Sequence, residues 1–128
     1  MLEVKPIQTK EAQKEICGLC GVDFDPDCLA YSAKENGRLL GVAQFRILGE
    51  YAVIYHLANA VGISDLGALI ITGKAALNFI DSCGVREVII KTTVEYLPRL
   101  LGFTKAKDGA YKLNLNGYFN STCSCQRL

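Results

Sequence analysis

A chain of 128 residues that is 50% hydrophobic, with 14 basic against 13 acidic side chains, can build one core but has no overall field to hold nucleic acid or an anionic membrane. No apolar run reaches the roughly 20 residues that span a bilayer. Met1-Leu2-Glu3-Val4-Lys5 lacks the basic start and apolar centre of a secretory signal, so one cytoplasmic domain over residues 1–128 is expected, with neither nucleic acid nor membrane as partner.

Leu2 to Ile7 alternates apolar and polar residues, as a half-buried first strand does. Thr9 is a helix N-cap ahead of Lys10-Glu11-Ala12-Gln13-Lys14-Glu15-Ile16, and the spacing puts Ala12, Ile16, Leu19 and Cys20 on one face, with the helix ending near Gly21. Asp23-Phe24-Asp25-Pro26-Asp27 reads as a solvated turn, the ordinary alternative to a metal-binding Asp-x-Asp. From Leu29 the period becomes two: strands over 29–34 and 38–47 are joined at Asn36-Gly37, the strongest short hairpin signal, and Tyr51 to Ala60 completes an antiparallel meander. Tyr31, Phe45, Tyr51 and Tyr55 alternate along it and read first as packing residues.

Leu66, Leu69, Ile70, Ala76, Leu77 and Ile80 recur at three- and four-residue steps, which predicts a helix over 65–81 closed by Gly84. Val85 to Lys91 follows as a buried strand, parallel to the last meander strand through a right-handed crossover. A short helix over 95–101 with Pro98 in its first turn and a final hairpin around Lys107-Asp108-Gly109 complete an α/β (α+β) fold: a mixed, mostly antiparallel sheet of about six to seven strands flanked by helices. Residues after Asn116 carry no periodicity.

Six cysteines in a chain without an export signal read as reduced thiols. Cys17-x-x-Cys20 and Cys123-x-Cys125 would together supply four thiolates for zinc only if the fold joined the two ends; no histidine lies near either pair, so the site is expected to hold no metal.

The order strand, helix, three-stranded meander, loop into a long helix, strand, short helix, Gly-Phe and final hairpin resembles the GCN5-related N-acetyltransferase (GNAT) superfamily over nearly the whole chain. Asn36-Gly37-Arg38-Leu39-Leu40-Gly41-Val42-Ala43 is similar to its "NGKIVGFA" hairpin, Leu57-Ala58-Asn59 to its "LAV", and Leu97-Pro98-Arg99-Leu100-Leu101-Gly102-Phe103 to its "LYEKLGF". The resemblance implies acetyl-coenzyme A as co-substrate and a small-molecule or peptide amine as acceptor, with a homodimer left open. It places the pantetheine arm on Leu57, Ala58 and Asn59, and the pyrophosphate on the N–H groups of a Q/R-x-x-G-x-G/A loop. With Gly67 as that loop's first glycine, Ser64, Leu66, Gly67 and Ala68 form the cradle and bulky Leu69 takes the small-residue position. With Gly67 as the second, Gly62 replaces the Gln or Arg and Asp65 the first glycine. Either register departs from the pattern. The resemblance also puts His56, the single histidine, where relatives carry the general base, and Pro98 where they carry a tyrosine acid, which leaves Tyr96 as the nearby candidate. A non-catalytic relative that has lost the coenzyme A site is the alternative to an N-acyltransferase.

Overall fold

The computed structural model describes residues 1–91 and 96–119. Its strands are β1 (Leu2–Pro6), β2 (Leu29–Glu35), β3 (Arg38–Leu48), β4 (Tyr51–Asn59), β5 (Glu87–Ile90), β6 (Thr104–Lys105) and β7 (Tyr111–Asn114), and its helices α1 (Lys10–Leu19), α2 (Leu66–Ser82) and α3 (Tyr96–Leu100). The strands make one seven-stranded sheet in the order β1-β2-β3-β4-β5-β7-β6. Every neighbouring pair is antiparallel except β4 and β5, which run parallel through α2.

Local chemistry accounts for most of the boundaries. The Ala12 N–H donates to Thr9 Oγ1 at 3.1 Å and starts α1. Asn36 and Gly37 both take positive φ, 52° and 80°, the backbone a two-residue hairpin needs between right-twisted strands. Asp108 Oδ1 accepts the Ala110 N–H at 3.0 Å and holds the last hairpin. Pro98 falls in the first turn of α3, where its missing N–H costs nothing. The start expected for α3 at Glu95 lies outside the described residues.

Alternation along β3 assigns the two faces of the sheet. Ala43 and Phe45 join Ile54 and Leu57 of β4 in the main core under α2, with Leu69, Ala76, Leu77 and Ile80 from the helix and Leu97, Leu101 and Phe103 from the α3 region. Tyr31 stacks on Phe45 and both meet Phe79, with ring centroids 6.1, 6.4 and 5.8 Å apart, so these aromatics pack as expected. Tyr51 is 39% exposed and does not. Val42 packs on the opposite face with Cys20, Ala60 and Ile16 of α1.

The buried stripe of α1 differs from the expected one. Gln13 and Cys17 are buried, and Leu19 is 55% exposed. Hydropathy cannot register a buried amide, and Gln13 is inside because its polar atoms all find partners, as described below. At Gly41 a Cβ would sit 2.9 Å from the Ala58 carbonyl oxygen, so the absence of a side chain is what lets β3 and β4 lie in this register.

Candidate active site

Strand β4 pairs with β5 only from Tyr51 to Ile54, opposite Glu87 to Ile90, and the last bond runs from the Lys91 N–H to the Ile54 carbonyl at 2.9 Å. Against β3 the register shifts: Gln44 faces His56 and Phe45 faces Ile54, which makes Tyr55 an extra residue in a β-bulge. A bulge bends its strand and increases its twist. Beyond it, Leu57, Ala58 and Asn59 stay paired with Ala43, Val42 and Gly41 but have no partner on the β5 side among the described residues. Among the described residues, the edge of β4 that faces away from β3 is therefore unpaired beyond Ile54. On the α2 face the floor beneath it is tight, because a Cβ at Gly73 would lie 3.1 Å from Leu57 Cδ2 and 3.0 Å from Leu101 Cδ1.

His56 sits at the bulge, half-buried, on the α1 face. Gln44 Nε2 lies 2.9 Å from its Nδ1. The Gln44 amide orientation is fixed by main-chain groups that cannot exchange roles. Its Oε1 accepts the Asp25 N–H at 3.2 Å, and its Nε2 donates to the Asp23 carbonyl at 2.7 Å. Gln13 Nε2 also donates to Gln44 Oε1, at 2.8 Å, and Lys10 Nζ donates to Gln13 Oε1 at 3.1 Å and to the Cys28 carbonyl at 2.6 Å. Gln44 is 0% exposed and Gln13 2%. The connection between α1 and the bulge is a buried polar network in which each amide is satisfied, the condition under which such groups rigidify a core. On the exposed side of the bulge, Lys91 Nζ stands 5.4 Å from the centroid of Tyr55.

The entry to α2 is built from Asn59 and Asp65. Asn59 Nδ2 donates to the Leu40 carbonyl at 3.0 Å and the Asp65 carbonyl at 3.1 Å, and its Oδ1 accepts the Asp65 N–H at 3.2 Å. Its side chain thus ties β3, β4 and the helix start together. Asp65 is the N-cap, and its Oδ1 accepts the Ala68 N–H at 3.0 Å. The N–H groups of Gly62, Ser64, Leu66 and Gly67 have no acceptor among the described residues. Ser64, Leu66 and Gly67 are exposed, whereas Ala68 is buried with its N–H already taken. Ser64, Leu66, Gly67 and Ala68 thus lie together at the helix start, beside the Asp65 carboxylate.

Tyr96 opens α3 and is 57% exposed, while Pro98 is buried. Tyr111 of β7, opposite Ile90, is 7% exposed, and its hydroxyl has no hydrogen-bond partner among the described residues. The Arg99 guanidinium lies 5.7 Å from its ring centroid. Among the described residues no group of three or more His, Cys, Asp or Glu could hold a metal ion, and no helix is long and apolar enough to cross a membrane. Cys123 and Cys125 lie outside the described residues.

Sequence patterning assigns no role to Gln44 or Gln13, and it places Asp65 in the loop without its capping bond. The available signal was a glutamine embedded in the apolar run Gly41-Val42-Ala43-Gln44-Phe45, since a polar side chain inside a buried strand must have partners.

No protein-family model matches the sequence, and no curated protein matches it. Solved structures do match by fold. A mutant form of the spermidine/spermine N-acetyltransferase of Vibrio cholerae superposes with a TM-score of 0.72 at 11% identity, covering 95% of this chain and 99% of that one. The IAA acetyltransferase of Bacillus cereus gives 0.68 at 20% identity, over 84% and 79% of the two chains. A GNAT family acetyltransferase of Elizabethkingia anophelis with acetyl-CoA bound gives 0.66 at 14% identity, over 89% and 98%. Together with the seven-stranded, mostly antiparallel sheet and its parallel β4–β5 pair, these matches establish that the chain has the GNAT fold.

Proposed function

We propose that this chain is an acyl-coenzyme A dependent N-acyltransferase that moves an acetyl group from acetyl-coenzyme A to an amine. The observation that carries the proposal is the bulge at Tyr55, beyond which the main chain of Leu57 to Asn59 has no partner on the β5 side among the described residues, beside the start of α2. The amide groups of a pantetheine arm can add to such an edge as an extra strand would. The N–H groups of the exposed residues Ser64, Leu66 and Gly67, at the positive end of the α2 dipole, would receive the pyrophosphate. Ala68 contributes only its place in the turn, and Asn59 only its main chain, since its side chain is committed to the helix entry.

In the reaction the amine nitrogen attacks the thioester carbonyl carbon, the carbon–sulfur bond breaks with its electron pair going to sulfur, and the proton lost from nitrogen ends on the thiolate. His56, at the bulge just beyond the last described β4–β5 pair, is the side chain proposed to act on the reacting atoms, and Tyr96 is the candidate proton carrier on α3, because Pro98 has no proton to give. Incubation with acetyl-coenzyme A and a panel of polyamines and peptides tests the proposal. Amine-dependent release of free coenzyme A is the expected result, and its absence with every amine would overturn the activity.

One observation favours a second reading. The Asp65 carboxylate occupies the Ala68 N–H and places a negative charge where the pyrophosphate would rest. A binding or regulatory module without acyl transfer would explain that charge. It predicts neither coenzyme A binding nor turnover.

A further inference from the structure

We infer that His56 serves this reaction as a fixed hydrogen-bond donor, through Nε2–H to the thioester carbonyl oxygen, and not as a base, with Gln44 and Gln13 as the residues that hold it in that form. The inference rests on the transferase reading and concerns one atom of its site.

Two main-chain contacts settle the orientation of Gln44. Asp25 N–H donates to its Oε1 and the Asp23 carbonyl accepts from its Nε2, so the amide hydrogen directed at His56 is a donor and Nδ1 must accept it. In a neutral imidazole the proton then resides on Nε2. This is the reverse of a histidine whose Nδ1–H is held by an acceptor, which leaves Nε2 bare to take a proton from a nucleophile. Gln44 lies across the ladder on β3 and takes up Nδ1 from that side; the donor role requires Nε2–H to face the edge of β4 that has no partner among the described residues. A neutral imidazole N–H in that position can stabilise the charge that develops on the carbonyl oxygen as the amine attacks. His56 gives up no proton, so the overall transfer from nitrogen to sulfur is unchanged.

Gln13 completes the arrangement. Its Nε2 donates to Gln44 Oε1 at 2.8 Å, and Lys10 Nζ donates to its Oε1, so its own amide cannot turn without leaving Lys10 facing a donor. The histidine orientation is therefore anchored in α1, a helix that otherwise has no part in the site.

The test uses the full chain, isotope-labelled on histidine, where the single imidazole gives one set of ring-nitrogen signals. Long-range proton–nitrogen spectra at mildly alkaline pH are expected to show Nδ1 bare and Nε2 protonated in the unsubstituted protein. Gln44→Glu, whose carboxylate can only accept, is expected to move the proton to Nδ1. A bare Nε2 in the unsubstituted protein, with turnover present, overturns the donor role and leaves the transferase reading standing. Turnover gives the second arm: His56→Gln, which keeps an amide N–H near the Nε2 position, should retain activity within about tenfold, and His56→Ala should lose roughly a hundredfold or more. Equal losses in the two variants overturn the donor role. Absence of turnover in the unsubstituted protein overturns the transferase reading and the catalytic role of His56 with it.

Discussion

The Asp65 carboxylate accepts the Ala68 N–H at 3.0 Å, so the first turn of α2 is neutralised by a residue of the chain itself. A helix N-terminus attracts anions because its N–H groups lack partners and its dipole end is positive. Here one of those groups is satisfied and a full negative charge sits beside the rest. Affinity for a pyrophosphate is the quantity this pair is predicted to control.

Asp65→Ser keeps a capping oxygen and removes the charge. Affinity for acetyl-coenzyme A is expected to rise roughly fivefold, the scale of one charge acting at a helix end. Asp65→Ala should show the same electrostatic gain but lose the cap, at a cost of about 1 kcal/mol of stability. Calorimetry and thermal unfolding on both variants separate the two effects. Unchanged affinity in both would mean that the anion does not bind at this helix start.

Tyr111 keeps its hydroxyl buried without a hydrogen-bond partner among the described residues. A buried unsatisfied donor costs about 1–3 kcal/mol, so Tyr111→Phe is expected to raise stability by about 1 kcal/mol in denaturant unfolding. A loss of stability would indicate that the hydroxyl has a partner in solution.

Glycines on the two sides of the sheet make opposite predictions. At Gly41 an added Cβ would meet the Ala58 carbonyl oxygen at 2.9 Å, a main-chain atom that cannot turn aside. Gly41→Ala is expected to cost about 2 kcal/mol and to displace the open end of β4, weakening any ligand on that edge. Gly18 lies in α1 with nothing within 4 Å of an added Cβ, so Gly18→Ala should instead gain about 0.5–1 kcal/mol.

These positions also mark how far the sequence was legible. The chain order of strands and helices could be read because it rests on local signals: the positive-φ pair Asn36 and Gly37, the Thr9 cap, the three- and four-residue steps of α2, and the Gly84 turn that ends it. The parallel β4–β5 pair followed from that order. The bulge at Tyr55 could not be read, because no glycine or proline marks it and its cause is the long-range register of β4 against β3. For the same reason the Gln13–Gln44–His56 network was invisible: its members are 31 and 12 residues apart in sequence and meet only after the sheet has formed. His56 could be singled out by its place on β4, but which nitrogen carries its proton depends on those distant partners. The fold was therefore readable from local chemistry, and the working details of the site were not.

Buried thiols give a pH prediction. Burial pushes Cys17 and Cys20 up to about 11 and Cys28 up to about 12, from an ordinary 9.0, with the nearby Asp25 charge adding to the shift at Cys28. The folded protein keeps these thiols protonated where the unfolded chain would ionise them. Their stabilising contribution is complete below pH 9.0 and is lost as pH rises through about 11 and then 12. Thermal midpoints should stay level on the neutral side of this window and fall within it, and Cys28→Ala should make the fall shallower. An unchanged slope in that variant would exclude Cys28 as a contributor.

The central claim is that the edge of β4 beyond Ile54 still receives a coenzyme A thioester despite the carboxylate at the helix start. Titration calorimetry of the full chain with acetyl-coenzyme A tests it most directly. A single saturable heat, reached at or below millimolar ligand and strengthened in Asp65→Ser, is the predicted result. No heat at millimolar acetyl-coenzyme A in either protein would contradict the claim and leave a GNAT fold without its co-substrate.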